Sequence, residues 1–224
     1  MKGGSMKLYL CGDSTAACFD PKETPKVGWG QILPSLLPGV DIQNHSIAGR
    51  STRTFLAEGR LERFRDELAP GDLMLIQFGH NDAGSKPERH TEPFRDFTDN
   101  LNVFIDTALA RGATPVLLTP TCVRCFKDGQ LQPVMEDYRE AIRALAEKRA
   151  VPLIDMYDEG FRRIAAMGEE ASRALYMNLE KGEDPRCPDG LTDNTHTRRA
   201  GAELYAHIAA DGLRRLLKPL HTLD

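Results

Sequence analysis

The 224-residue sequence has no long apolar run. A helix that crosses a bilayer needs roughly 20 consecutive apolar residues, and no run here approaches that length. The apolar run that begins at Lys7 is also shorter than a signal-peptide core, which has roughly 7 to 15 residues. As written, the sequence predicts a cytoplasmic protein with no membrane partner. The alternative that a leader was removed from the natural chain stays open. Residues 1–6 are interpreted as a disordered start or an expression-derived extension.

The sequence also lacks an excess of charge of one sign and a disulfide framework. Its net charge is −4 and its basic residues are scattered among acidic ones, so no nucleic-acid partner is expected. Five cysteines are an odd number, which does not suggest a set of disulfides. Cys122 and Cys125 form one C-x-x-C pair without a second pair. We interpret them as loop thiols in preference to a redox or zinc site.

What the sequence does contain is a regular alternation of short apolar segments and helical patterns. The apolar segments are too short for independent helices, and two of them are near-continuous Leu, Ile, Val or Met, as in strands buried on both faces. Strands are predicted at 7–12, 40–46, 72–79, 114–120 and 151–156. Helices are predicted at 28–37, 54–67, 92–110, 135–149, 158–180 and 198–217. Because parallel neighbours need crossover helices, this order predicts a doubly wound α/β protein with a five-stranded parallel sheet, in one domain over residues 1–224.

Polar residues follow the predicted strands. In such a sheet, ligands bind outside the carboxyl ends of the strands, so the residues just after each strand are the candidates for chemistry. Asp13 and Ser14 follow the first strand, 45–51 the second and 79–82 the third, while 193–196 precede the last helix. Each segment alone is a weak signal. Together they supply every part that acyl transfer to a serine requires.

Ser14 is the candidate nucleophile, and a serine hydroxyl needs a base to remove its proton. His196 is the candidate base. Asp193, three residues earlier, could accept from its Nδ1–H and leave Nε2 free to take the serine proton. The candidate oxyanion donors are the backbone N–H groups of Ser14 and Gly49 and the side-chain amide of Asn81.

Each of these residues has a plain structural alternative. A lone histidine such as His196 is more often a hydrogen-bonded residue at a helix start, Asp193 could be a helix cap, and Asn81 could be a turn former. In a metal hydrolase, Asp13, Asp193 and His196 would be ligands instead. That alternative leaves Ser14 without a purpose, and no ligand pair at metal-binding spacing is present, so no metal is predicted.

Four further side chains are candidate substrate contacts: Trp29, Arg50, Arg53 and His80. The arginines would suit the carboxylate of a uronate-containing fragment. The alternative for Trp29 is core packing, for the arginines a solvated helix turn, and for His80 support of its own loop. No long apolar groove is visible in the sequence, so a small acyl group is expected in preference to a fatty chain.

The segments just described resemble the four blocks of the SGNH (GDSL) hydrolase superfamily, in the right order. The similarity extends over about residues 7 to 215. The words GDSTAA, GWGQ, NHSIAGRSTRTF, QFGHND, MGEEASRALYMNL and DNTHTRRAGA are similar to those of its rhamnogalacturonan acetylesterase subgroup. The segment TPTCVRCFKDG departs from the subgroup and is expected at the rim of the cleft.

The resemblance implies a flavodoxin-like, three-layer α/β/α fold and hydrolysis of O-acetyl esters on carbohydrate, without a cofactor. Block by block, it assigns the nucleophile and first oxyanion donor to Ser14 and the other two donors to Gly49 and Asn81. It assigns the base to His196 and the partner of that base to Asp193.

Three functions are compatible with these residues. The preferred one is a serine esterase that removes acetyl groups from plant cell-wall oligosaccharides of rhamnogalacturonan, pectin or xylan type, through an acetyl-enzyme on Ser14. The second keeps the mechanism but takes longer acyl chains, as a lysophospholipase or thioesterase. The third is a non-catalytic sugar-binding module of flavodoxin-like fold, whose serine, histidine and aspartate are incidental. The expected partner is an acetylated oligosaccharide, and both monomer and homodimer stay open.

Overall fold

A central parallel sheet organises the chain, as seen in a computed structural model that describes residues 6–217. Within that range the strands are β1 (Lys7–Gly12), β2 (Asp41–Asn44), β3 (Leu73–Gln77), β4 (Thr114–Leu118), β5 (Phe126–Lys127), β6 (Gln130–Leu131), β7 (Leu153–Ile154), β8 (Tyr176–Leu179) and β9 (Leu191–Thr197). The central sheet has the order β2–β1–β3–β4–β7, and every neighbouring pair is parallel. The predicted five-stranded parallel sheet is confirmed.

Helices cover both faces of this sheet. They are α1 (Trp29–Leu36), α2 (Thr52–Ala57), α3 (Thr98–Ala110), α4 (Glu136–Arg149), α5 (Met156–Ser172) and α6 (Arg199–Leu217). Side chains of β1 alternate between the two faces, as the period of a strand requires. Leu8 and Leu10 pack with α1, α5 and α6, whereas Tyr9 and Cys11 pack with α2, α3 and α4. The flavodoxin-like, three-layer arrangement is therefore confirmed.

Burial of these two faces is what holds the layers together. Leu10, Trp29, Tyr9 and Phe104 have no measurable exposure. Fully burying an apolar side chain of this size stabilises the folded state by about 1.5–3 kcal/mol. More than a dozen large buried apolar side chains lie on each side of the sheet, so the sheet is a rigid platform for the loops at its carboxyl edge.

Two predicted helices are shorter than expected. The helix expected over 54–67 ends at Ala57, and Gly59 follows with φ of +63°. The helix expected over 158–180 ends at Ser172 and contains non-helical backbone at Gly168, where φ is +77°. Glycine adopts such angles without the penalty of a Cβ, which is why both breaks fall at or near one.

A hairpin at the end of the chain was not predicted. Strand β8 pairs with β9 in antiparallel fashion, outside the central sheet. Strand β8 is only four residues long and is buried throughout. Periodicity does not distinguish a short apolar run of this kind from a segment of buried helix. The predicted helix over 158–180 therefore included the residues of β8.

The chain start differs in part from the expectation for residues 1–6. Met6 packs against the core on the α1 side of the sheet, so it is not part of a disordered start. Residues 1–5 lie outside the described residues. No helix within residues 6–217 combines the length and the apolar character that a membrane crossing needs.

Candidate active site

Ser14 lies in a tight turn at the carboxyl end of β1. The carboxylate of Asp13 accepts a hydrogen bond from the backbone N–H of Thr15 at 2.9 Å, and the N–H of Ala16 donates to the carbonyl of Asp13 at 3.3 Å. Aspartate forms turns of this kind readily because its short side chain bonds to the backbone two residues on. The turn therefore presents Ser14 at the edge of the sheet.

The glycines on either side of Trp29 hold the segment after this turn. A Cβ on Gly28 would lie 2.1 Å from the carbonyl oxygen of Ala17, and one on Gly30 would lie 2.4 Å from that of Ala16. Only glycine permits this approach of one backbone to another. The N–H of Trp29 donates to the carbonyl of Thr15 at 2.9 Å. The start of α1 thus fixes the backbone immediately after the serine.

His196 lies in a bulge of β9. Met177 pairs with Asp193, but its neighbour Tyr176 pairs with Thr197, so residues 194–196 form extra length on β9. One carboxylate oxygen of Asp193 accepts from two backbone N–H groups within the bulge, at 3.0 Å each. As the sequence predicts, these residues lie just before the last helix, and the structure shows that they form a bulged strand there.

The structure brings Ser14, His196 and Asp193 into one chain of contacts. Nε2 of His196 lies 2.8 Å from Oγ of Ser14, and Nδ1 lies 2.7 Å from Oδ2 of Asp193. Burial raises the pKa of Asp193, but the His196 side chain and the backbone donors lower it by more, so the pKa is well below its usual range. An ionised Asp193 accepts the Nδ1–H of His196, which leaves Nε2 directed at the serine hydroxyl.

Gly49 and Asn81 line the cleft beside Ser14. Gly49 has φ of +76°, a left-handed conformation that favours glycine, and it precedes Ser51, the N-cap of α2. The amide nitrogen of Asn81 donates to the carbonyl of Arg50 at 3.1 Å. A side-chain amide has two N–H donors, so one remains for another acceptor. All three predicted oxyanion donors therefore lie around one space.

Asp82 ties the loop of Asn81 to the start of α2. Its buried carboxylate accepts from the N–H of Thr52 at 3.0 Å, from the Thr52 hydroxyl at 2.5 Å and from the Thr91 hydroxyl at 3.0 Å. Burial raises the pKa of Asp82 to about 6, against the lowering effect of these hydrogen bonds. No sequence pattern singles out Asp82 for this role, because its partners Thr52 and Thr91 lie in segments that no local pattern connects.

A second histidine–aspartate pair lies behind Ser14. Nδ1 of His80 is 3.3 Å from Oδ2 of Asp13, and Nε2 of His80 is 3.0 Å from the carbonyl oxygen of Thr121. Burial raises the pKa of Asp13, but His80 and Thr15 together hold it below its usual value. His80 also lines the cleft, so it stays a candidate for substrate contact.

The cleft has a volume of about 360 Å³. Besides the residues already described, it is lined by Phe19, Lys26, Ala48, Arg89 and Thr195. Phe19 and Lys26 belong to the segment between β1 and α1, and Arg89 belongs to the segment after β3. Their place after strand ends was the only sequence signal for them, and no motif singles them out.

Three of the predicted substrate contacts are not in the cleft. Trp29 is fully buried and its indole N–H donates to Gln77 at 3.2 Å, so the expectation that it meets substrate is wrong. Arg50 is paired with Glu58 at 3.1 Å, and Arg53 with Asp96 at 3.0 Å. Neither arginine is among the residues that line the cleft, because these acids draw their guanidinium groups away from it.

The segment with Cys122 and Cys125 lies behind the site. Burial raises the pKa of Cys122 to about 12, so this thiol does not ionise near neutral pH. Both cysteines are free, in agreement with loop thiols. The backbone of Arg124 donates to the carbonyl of Asn194 in the bulge of β9 at 2.9 Å. The segment supports that bulge and does not line the cleft, which corrects the expectation that it forms the rim.

Among residues 6–217, no group of three or more His, Cys, Asp or Glu side chains converges as metal ligands would. Asp13, Asp193 and His196, the ligand set of the alternative interpretation, are divided between two separate pairs. Asp13 faces His80, whereas Asp193 and His196 face each other.

Fold and site together define a class: three-layer α/β/α proteins that carry a serine, a histidine and an aspartate in one hydrogen-bonded array at the carboxyl edge of the sheet. A sequence model of the GDSL-like lipase/acylhydrolase family matches residues 10–204. The chain belongs to this family, and the resemblance to SGNH (GDSL) hydrolases is confirmed.

Two curated relatives cover almost the whole chain. The rhamnogalacturonan acetylesterase RhgT of Bacillus subtilis is 39% identical over 217 residues, which are 96% of this chain and 92% of that protein. The probable rhamnogalacturonan acetylesterase YesY of the same organism is 36% identical, over 95% of this chain and 94% of that protein. The resemblance to this subgroup is therefore confirmed at the level of sequence.

Solved structures share the fold. The crystal structure of the YxiM protein of Bacillus subtilis superposes with a TM-score of 0.80 at 30% identity, over 95% of this chain and 57% of that chain. This chain thus spans little more than half of the length of that protein. Axe2, an acetylxylan esterase from Geobacillus stearothermophilus, superposes with a TM-score of 0.67 at 18% identity, over 95% and 96% of the two chains. At that identity the likeness concerns the fold alone.

Proposed function

We propose that this protein is a serine esterase that removes O-acetyl groups from plant cell-wall carbohydrate, with rhamnogalacturonan-type oligosaccharide as the preferred substrate. The observation that carries the proposal is the array Ser14–His196–Asp193, with distances of 2.8 and 2.7 Å. The sugar class is supported by the two relatives that bear the name rhamnogalacturonan acetylesterase and match nearly the full chain.

The first half-reaction transfers the acetyl group to the enzyme. Oγ of Ser14 attacks the acetyl carbonyl carbon while Nε2 of His196 takes the hydroxyl proton, and ionised Asp193 stabilises the imidazolium that forms. The carbonyl oxygen becomes an oxyanion, and its proposed donors are the N–H groups of Ser14 and Gly49 together with the Asn81 amide, all of which line the cleft. The bond to the sugar oxygen then breaks, and that oxygen takes the proton from His196. The products are acetyl-Ser14 and the free sugar hydroxyl.

The second half-reaction repeats these steps with water. His196 removes a proton from a water molecule, whose oxygen attacks the carbonyl carbon of acetyl-Ser14. When the intermediate collapses, Oγ of Ser14 leaves and takes the proton back from His196. Acetic acid departs and releases its proton to solvent as acetate, and the enzyme returns to its starting state with no reactant but water consumed in this step.

The residues that line the cleft favour a short acyl group on a bulky polar alcohol. Most of them are polar or charged, and Phe19 is the only large apolar residue among those described. A fatty chain would need a continuous apolar wall to gain from burial. A sugar, in contrast, presents hydroxyl groups that side chains such as Lys26, His80 and Thr195 can meet.

Two measurements test the proposal. A fluorophosphonate probe should add once to the wild-type protein by intact-mass analysis, and Ser14→Ala should give no adduct. No adduct on the wild type would instead support a non-catalytic sugar-binding module. Acetate release should then be faster from acetylated rhamnogalacturonan than from acetylated xylan. Faster turnover of octanoate than of acetate esters of one chromogenic alcohol would contradict the acetylesterase and favour a lysophospholipase or thioesterase.

A further inference from the structure

One arginine in the cleft has no role in the steps above. Arg89 is partly buried in the segment between β3 and α3 and lines the same space as Ser14, Gly49 and Asn81. The backbone N–H groups of Arg89 and His90 both donate to the carbonyl of Lys86 at 2.9 Å, which shapes the segment that carries it. Within residues 6–217, the one side-chain hydrogen bond of Arg89 goes to Asn81. In this it differs from Arg50 and Arg53, which are held by acids.

The contact between Arg89 and Asn81 determines which way the amide faces. Nη1 of Arg89 lies 3.3 Å from Oδ1 of Asn81, while Nδ2 of Asn81 lies 3.1 Å from the carbonyl oxygen of Arg50. A guanidinium only donates and a carbonyl only accepts, so each contact requires the same orientation of the amide. If the amide rotated by half a turn, it would set an N–H against a guanidinium and an oxygen against a carbonyl. The pair of contacts therefore excludes the rotated form.

The same guanidinium also lies over Gly49. A Cβ at Gly49 would be 3.3 Å from Nη2, 3.4 Å from Nη1 and 3.5 Å from Cζ of Arg89. The planar group is thus packed on the open face of the glycine, where a side chain would have to displace it. Arg89 thus contacts the Asn81 amide, one proposed oxyanion donor, and lies beside Gly49, the residue that supplies another, where it adds a positive charge. Fixed positive charge next to developing negative charge stabilises a transition state without reorganisation.

We propose that Arg89 is a positioning residue of the oxyanion hole: it holds the Asn81 amide with its free N–H toward the oxyanion and places a cation beside Gly49. This inference rests on the proposed function, because it concerns the same reaction. It predicts that Arg89 acts on the transition state and not on binding of the ester. Since it acts through Asn81, its effect should depend on the presence of that amide.

The test compares Arg89→Met, Arg89→Lys and a matched control, Arg95→Met. Arg95 is exposed, pairs with Asp96 and is not among the residues that line the cleft. With a neutral ester such as 4-nitrophenyl acetate, Arg89→Met should lower kcat by about 10- to 100-fold. That is less than the about 100- to 1,000-fold typical of losing an oxyanion donor outright. KM should stay within about twofold, Arg89→Lys should recover part of kcat, and Arg95→Met should match the wild type.

A double-mutant cycle with Asn81→Ala completes the test. If Arg89 acts through the amide, Arg89→Met should reduce kcat much less in the Asn81→Ala background than in the wild type. Independent effects, or an unchanged kcat in Arg89→Met, would overturn the inference. A rise in KM confined to acidic oligosaccharides would also overturn it and make Arg89 a substrate contact. Failure of the proposed function would show differently, as a wild-type protein that neither releases acetate nor reacts with a fluorophosphonate at Ser14.

Discussion

Two histidine–aspartate pairs lie at the same edge of the sheet and differ in exposure, in the distance between their side chains and in their third partner. In the first pair, the side chains of His196 and Asp193 are 26% and 20% exposed, and Nδ1 of His196 lies 2.7 Å from Oδ2 of Asp193. In the second, those of His80 and Asp13 are 8% and 0% exposed, at 3.3 Å. The first pair is therefore the more accessible to a reacting ester, whereas in the second pair Asp13 is sealed in the scaffold and only His80 reaches the cleft.

The remaining nitrogen of each imidazole sharpens the contrast. Nε2 of His196 faces the hydroxyl of Ser14, a group that can give up a proton. Nε2 of His80 faces the carbonyl oxygen of Thr121, a group that can only accept. The same pair of residue types thus contains the proposed base in one place and supports the loop of Thr121 in the other. What decides the role is the third partner, which lies far away in the sequence in both cases.

Replacing each histidine in turn gives the largest expected difference. His196→Ala removes the proposed base, and kcat should fall on the order of 10⁴- to 10⁶-fold while the protein stays folded. His80→Ala should lower kcat by less than about 100-fold. It should lower the free energy of unfolding by about 1–3 kcal/mol, because the buried Asp13 loses a partner. Kinetics with 4-nitrophenyl acetate and urea denaturation measure both. Equal losses of activity in two folded variants would erase the distinction between the pairs.

Replacing each aspartate compares the two pairs through their acidic members. Asp193→Asn keeps the shape but no longer accepts the Nδ1–H as a carboxylate does, so kcat should fall by about 10⁴-fold. Asp13→Asn should cost less activity and more stability, since Asp13 is fully buried in the turn that carries Ser14. Circular dichroism melts alongside the kinetics separate the two effects. Full activity in Asp193→Asn would assign the acidic partner of His196 to another residue.

The fold was predictable to a large extent, because a buried parallel strand leaves a local pattern. Segments such as 72–79 are apolar, short and followed by turn residues, and each of those features is set by neighbours in the sequence. The site was predictable for a related reason: Ser14 and Asn81 follow strand ends, and those ends meet at one edge.

What could not be predicted depends on contacts between distant segments. In the sequence, Trp29 is a candidate substrate contact with core packing as its alternative, but its indole is buried against Gln77, 48 residues away. Arg50 and Arg89 are alike as residues. Only the fold shows that Arg50 is paired with Glu58, whereas Arg89 lines the cleft and makes no ion pair with the residues that the structure describes. Side-chain direction, unlike strand position, carries no local periodic signal.

Low pH should reduce the contribution of both pairs to the free energy of unfolding. The carboxyls of Asp13 and Asp193 have pKa values below their ordinary range, so the folded state holds fewer protons on them than the unfolded state. Their contribution to stability is therefore fully present above about pH 4, the ordinary aspartate pKa, and is lost as pH falls through the lower folded-state values. Urea denaturation from pH 7 to pH 3 should show the loss. It should be smaller in Asp13→Asn and Asp193→Asn than in the wild type, and an identical acid loss in all three would contradict this account.

The smallest effect is expected at Lys26, whose ammonium group pairs with Asp193 of the exposed pair. Its Nζ lies 3.9 Å from Oδ2 of Asp193, and its side chain is 29% exposed. Pairs of this kind contribute about 0–1 kcal/mol and are screened by salt, because water surrounds both charges. Lys26→Met should therefore change kcat for 4-nitrophenyl acetate by less than about fivefold, and the difference from wild type should shrink further at high salt. A loss near that of Asp193→Asn would mean that His196 and Asp193 depend on the positive charge of Lys26 for activity. The two histidine–aspartate pairs would then differ mainly in the charge beside them and not in their exposure.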